Sequence, residues 1–153
     1  MSLRDPHTLA ALEFISLMGS GLMAGATAYI SLVEVPGRAD KPHSYQLENY
    51  QEIFPRAMNL LRTSGMVAAA FTAVTGYLTE KPEWFVSVAC SVALGPFTAI
   101  FIAPTNEILM AAKDASKVKK ELEAWGKLHN VRTYIMMAGF SGAICAAMDL
   151  KLF

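Results

Sequence analysis

A tryptophan, a histidine and an arginine fall at i, i+4 and i+7 in the last third of the chain: Trp125, His129 and Arg132. On an α-helix that spacing puts all three on one face. The same face continues as Ile135, Met136 and Gly139, the kind of apolar stripe that packs inside a bundle. An imidazole held there can move protons near neutral pH. A guanidinium beside it can hold a developing oxyanion, and an indole offers a flat apolar wall to a ring. Asn106, in Pro104-Thr-Asn, and Glu34, before Val35-Pro36, stand at the ends of apolar runs that share the same side. Asn106 is either a plain helix-end residue or an amide that orients a ligand. Glu34 is either a snorkelling acid or a carboxylate partner for His129.

Other chemistries fit the residues less well. His7 and His43 lie outside the apolar runs, so a zinc set of mainly Cys and His is not assembled, and a carboxylate-His iron site would lack a second His. No metal is expected. Cys90 and Cys145 are isolated within apolar runs and form no CxxC, which disfavours dithiol redox chemistry. The formal net charge is zero and there is no basic stripe, so nucleic acid is not an expected partner.

Four apolar stretches must position these residues. The clearest, Trp84 to Asn106, runs without a charged residue. A bilayer core roughly 30 Å thick asks for about 20 mostly apolar residues in a spanning helix. Only 17% of the 153 residues are charged and the mean hydropathy is +0.35, against about 25% charged in ordinary soluble domains. The sequence therefore predicts an all-α integral membrane protein: one domain over residues 1–153, a four-helix bundle with spans near 8–33, 57–78, 84–110 and 129–150. The first run is longer than a signal-peptide core and is read as a retained span. Its one internal acid is Glu13. Pro36 and Gly37 are expected to end span one, Gly95-Pro96 to kink span three, and the short link Thr79–Glu83 to join antiparallel neighbours. Short amphipathic helices are expected in the two longer connections, one of them over Tyr45–Phe54 with Tyr45, Tyr50 and Phe54 as interfacial anchors. The pairs Gly21/Gly25, Gly65/Ala69 and Gly142/Ala146 predict close helix packing.

Lysine and arginine set the expected orientation. Arg4, Lys81 and Lys151 lie on one side. Arg38, Lys41, Arg56, Lys113, Lys117, Lys119, Lys120 and Lys127 lie on the other, which should be cytosolic. A multi-pass protein with both termini lumenal or extracellular follows. The endoplasmic reticulum is the default membrane, since the sequence carries no other visible address.

Taken together, Gly21-Leu-Met-Ala-Gly25 with a later Val-Pro turn, Pro104-Thr-Asn106-xx-Leu109, and Trp125-xxx-His129-xx-Arg132 resemble the anthrone oxygenase-like family of small four-span membrane proteins. The resemblance covers nearly the whole chain. It implies oxidation of an anthrone-like or other phenolic aromatic to a quinone, with molecular oxygen as co-substrate and no flavin, haem or metal cofactor. In that chemistry His129 would be the base, Arg132 and Asn106 the oxyanion partners and Glu34 the orienting carboxylate. Trp125, Phe101 and Tyr134 would line the slot for a small hydrophobic aromatic substrate. The alternative is a non-enzymatic membrane protein whose polar cluster binds a lipid, a quinone or a partner protein.

Overall fold

A computed structural model describes residues 4–152. Their regular structure is helical throughout, in four antiparallel rods. The first rod is α1 (Pro6–Tyr29), a π-helical turn (Ile30–Glu34) and α2 (Val35–Ala39). The second is α3 (His43–Thr79). The third is α4 (Glu83–Phe97), a second π turn (Thr98–Ile102) and α5 (Ala103–Ala111). After a 3-10 turn (Ala115–Lys117), α6 (Lys119–Ala147) forms the fourth. Each rod packs on its chain neighbours, and α1 packs on α6, so the bundle closes in sequence order.

Local chemistry explains the boundaries. Asp5 caps α1 by accepting from the Thr8 amide at 3.2 Å, with Pro6 in the first turn, where its missing N–H costs nothing. Neither Pro36 nor Gly37 ends the first rod. The π turn inserts one residue, with Val35 N–H reaching back to the Ile30 carbonyl, and the helix resumes around Pro36. The third rod solves the same problem in the same way: Ala103 N–H reaches Thr98 O just before Pro104. Proline clashes with the carbonyl four residues back, and a π turn widens the ladder where that clash would fall. The distortion in span three therefore lies after Pro96, at Thr98–Ile102.

The helices expected in the two long connections are extensions of α3 and α6 rather than separate elements. The 37 residues of α3 run unbroken through Pro55. At ~1.5 Å per residue α3 is about 55 Å long, well beyond a bilayer core of roughly 30 Å. Packing holds the helix across the proline: Leu47 and Tyr50 are buried, and Tyr50 stacks on Phe54 at 5.1 Å. Gln51 donates to the carbonyls of Leu109 and Ala112 at 2.8 and 2.9 Å, satisfying the end of α5 from α3.

Two rods, Pro6–Ala39 and Glu83–Ala111, are long and apolar enough to cross a membrane, with mean hydropathies of 1.5 and 2.1. Only 22% and 11% of their most apolar windows are buried within the bundle. Helices of a soluble core would hide that surface. Here Phe14, Leu22, Leu32, Val92 and Ile100 point outward, and such an apolar exterior fits association with a membrane.

Hydroxyl side chains line part of the interior. Ser16, Ser20, Thr27 and Ser31 form a buried hydroxyl stripe along the first rod. Ser16 bonds Thr75 across to α3 at 2.8 Å, and Ser20 bonds Ser87 on α4 at 3.1 Å. At the end opposite the longer connections, Lys81 bridges Glu13 (2.8 Å) and Asp149 (2.9 Å), which accounts for the internal acid of the first span. Gly142 faces Val86 and Gly19 faces Ala68 at close helix contacts, whereas nothing lies within 4 Å of a side chain built at Gly25. Of the three small-residue pairs, Gly142/Ala146 is the one buried at a helix crossing.

Candidate active site at the connection end of the bundle

The π turn of the first rod, α3 over residues 50–61, α5, and α6 over residues 125–132 meet at the end that carries the two longer connections. Between them lies a cavity lined by Glu34, Arg38, Tyr50, Asn106, Trp125, His129 and Arg132. Its apolar lip is formed by Ile30, Ile53, Phe54, Ala57, Met58, Leu61 and Ile102. It is a slot of about 510 Å³ that opens at its mouth.

His129 is 2% exposed. Its Nδ1 lies 3.0 Å from Ser31 Oγ, and Ser31 Oγ lies 2.7 Å from Thr133 Oγ1. Thr133 also faces two carbonyls, Thr27 O at 3.0 Å and His129 O at 3.1 Å. A carbonyl can only accept, and we assign the single Thr133 proton to one of these two. Thr133 then accepts from Ser31, and Ser31 accepts from His129 Nδ1–H. The relay assigns the neutral ring its Nδ1–H tautomer and leaves Nε2 as an acceptor for the cavity.

Asn106 is fixed by the same kind of reasoning. Its Oδ1 accepts from Tyr50 Oη at 2.7 Å and from Trp125 Nε1 at 3.0 Å. The indole N–H can only donate, which places the amide oxygen there and leaves the NH₂ group unclaimed by protein. Trp125 is the hub of the wall. It lies 4.9 Å from the His129 ring, edge-on to Tyr50 at 5.3 Å, and under Arg38 Cζ at 5.2 Å. Arg38 is buried, pairs with Glu34 at 3.3 Å and reaches Asn49 at 3.5 Å. Tyr50 lies outside the predicted spans, and its phenol is held well above its ordinary range by burial, against the opposing pull of Arg38. It therefore stays protonated as the donor to Asn106.

The fold thus brings together Glu34, Asn106, Trp125, His129 and Arg132. It corrects three expected roles, those of Glu34, Phe101 and Tyr134. Glu34 holds Arg38, while Ser31 holds His129. Phe101 is 53% exposed and packs on Phe97, and Tyr134 is 74% exposed, so neither lines the slot. The reason is helical phase. Tyr134 is five residues past His129 and Phe101 five before Asn106, each about 140° off the inward face at ~100° per residue. Ser31, Arg38 and Thr133 are functional-site residues that spacing on one helix does not single out, and Tyr50, expected as an interfacial anchor, is buried in the cavity lining. Two signals were present: the repeated hydroxyls Ser16, Ser20, Thr27 and Ser31, and the i, i+4 spacing of Glu34 and Arg38, visible only if the helix is continued past Pro36.

A family model described as anthrone oxygenase matches residues 50–142, more than half of the chain. The matched stretch contains Tyr50, Asn106, Trp125, His129, Arg132 and Thr133, and the first rod with Ser31, Glu34 and Arg38 precedes it. No curated protein and no solved structure matches the chain.

Proposed function

The chain belongs to the anthrone oxygenase family, and from that premise we propose that it oxidises an anthrone-like or related phenolic aromatic to a quinone with molecular oxygen. The observation that supports the reading is the one cavity whose lining gathers His129, Arg132 and Asn106 with Trp125, with the His129 ring held through Nδ1 by Ser31 at 3.0 Å.

The chemistry asks little beyond these groups. His129 Nε2 takes a proton from the benzylic CH₂. The electron pair moves into the ring system as an enolate, whose oxygen is stabilised by Arg132 and Asn106 N–H. This electron-rich anion reduces O₂, forming a carbon–oxygen bond, and the peroxide takes the proton back from His129. Loss of the second benzylic proton with cleavage of the O–O bond gives the carbonyl and water. Two hydrogens and one oxygen atom leave as water, and the other oxygen stays in the quinone. Trp125 and the apolar lip supply the flat, dry wall.

In the same reading all four rods cross the bilayer, both termini face the lumen or exterior, and the slot lies toward the cytosolic side. The lysine and arginine bias of the longer connections supports this orientation, and the endoplasmic reticulum is the membrane we assign.

The test is oxygen uptake by purified protein in detergent with emodin anthrone, after subtraction of spontaneous autoxidation. Acceleration by wild type that is lost in His129→Ala is the expected result. No acceleration, or full turnover by His129→Ala, overturns the reading.

A further inference from the structure

A second concavity lies at the connection end, outside the slot. It runs between α2, the start of α3 and α6 over residues 119–130, and measures about 1120 Å³ counted to its open side. Its walls carry Arg38, His43, Lys119, Glu123, Lys127 and Asn130. Local bonds build the shape. Buried Gln46 donates to the carbonyls of Ala39 and Lys41 at 3.3 and 2.8 Å, which fixes the turn from α2 into α3. Arg38, also buried, lines both this groove and the slot. Three cations thus share the walls with one carboxylate. Arg38 is answered from outside the groove by Glu34 at 3.3 Å, and Lys119 by Glu123 at 4.0 Å. Among the described residues no carboxylate lies in ion-pair contact with Lys127. Lys127 is exposed, so its charge costs the fold little and is free for a ligand.

The same strip of surface turns apolar away from the connections. Lys119, Glu123, Lys127 and Asn130 share a face of α6, and that face continues as exposed Tyr134 and Met137. On the first rod, Val35 lines the groove and exposed Leu32 lies one turn further along. A cationic head with an apolar track leading from it is the complement of a lipid. We infer that this groove binds an anionic phospholipid, a phosphodiester whose head group adds no cation. The phosphate lies on Lys127, with His43 and Asn130 as further donors, and the acyl chains run along Leu32, Tyr134 and Met137. Basic pockets between membrane helices hold anionic head groups in this way. A zwitterionic head group is rejected, because its own cation meets Lys119, Lys127 and Arg38. Orientation of the chain alone would place lysines anywhere at this end, as at Lys113 and Lys117, and asks for neither a groove nor an apolar track. The inference uses the membrane association of the rods and none of the slot chemistry.

The test is lipid retention. Purified protein in neutral detergent is titrated with phosphatidylglycerol or with phosphatidylcholine of the same chains, and bound lipid is counted by native mass spectrometry. Wild type should prefer phosphatidylglycerol by about fivefold or more, the scale of one lysine at a membrane surface. Lys127→Gln should bring the two lipids within about twofold. Lys113→Gln, an exposed lysine outside the groove, should leave the preference unchanged. Inorganic phosphate at matched ionic strength should not displace the lipid, since it makes no apolar contact. Equal retention of the two lipids overturns the inference, as does an equal loss in Lys113→Gln, which would mean diffuse surface charge. Displacement by phosphate overturns the lipid assignment and makes the groove a site for soluble anions.

Discussion

Ser31 touches the ring of His129 but does not line the slot, so its removal isolates the tautomer argument from substrate contact. In Ser31→Ala the Nδ1–H loses its acceptor at 3.0 Å. A buried orphan donor costs about 1–3 kcal/mol. The ring escapes that cost by carrying its proton on Nε2, the nitrogen that must accept from substrate. If about 1.4–2.7 kcal/mol of preference for the productive tautomer is lost, turnover falls about 10–100-fold, at one decade per ~1.4 kcal/mol. KM should change little, because the slot lining is intact, and the fall should appear in kcat. Ser31→Thr keeps a hydroxyl at the same atom and should recover much of the rate. The assay is steady-state oxygen uptake with emodin anthrone, with thermal midpoints measured in the same detergent. If Ser31→Ala keeps kcat within about twofold while His129→Ala is inactive, the ring is not set by this relay and the assignment of Nε2 as the base is wrong.

Two further predictions concern the scaffold. In Gly142→Ala the new Cβ would meet Val86 Cβ at 2.8 Å and Glu83 O at 3.2 Å, so the α4–α6 contact must open; the expected cost is about 1–3 kcal/mol, seen as a lower thermal midpoint, whereas Gly25→Ala, with open space, should be neutral or gain up to about 1 kcal/mol. Lys81 lies in the short link between α3 and α4. Burial alone would lower its pKa, but hydrogen bonds and charge from Glu13 and Asp149 more than offset this and leave it above its ordinary 10.5. Its bridging stability is therefore complete below pH 10.5 and lost as the pH rises through the higher folded value. The wild-type thermal midpoint should fall in strongly alkaline detergent buffer, and Lys81→Arg, which keeps its charge there, should fall less; equal falls would remove Lys81 as the cause.

The helical architecture was legible because apolar length and charge placement act locally. The uncharged run through Trp84–Asn106 and the charged connections predict four rods without any knowledge of contacts. The inward set Trp125, His129 and Arg132 was legible for a similar reason: spacing on one helix fixes a common face. The reading failed where two helices had to be phased against each other. Phe101 and Tyr134 are the right residue types on the wrong faces, and the two π turns before Pro36 and Pro104 stand where the sequence predicts a helix end and, two residues upstream of the second, a kink at Pro96.

By itself, then, the sequence determined the helices, the apolar character of the first and third rods and which residue types stand at one end of the bundle, since these follow from periodicity and hydropathy along the chain. Only the tertiary structure decided what each polar atom meets. Ser31 on the first rod and His129 on the fourth are 98 residues apart, and Tyr50 and Asn106 are 56 apart. Which nitrogen of His129 is free, which end of the Asn106 amide faces the slot, and whether Arg132 has a carboxylate depend on donors and acceptors delivered by other rods. Hydrogen bonds are short and directional, so their pairing is settled by the packing of the bundle and not by spacing along any one helix.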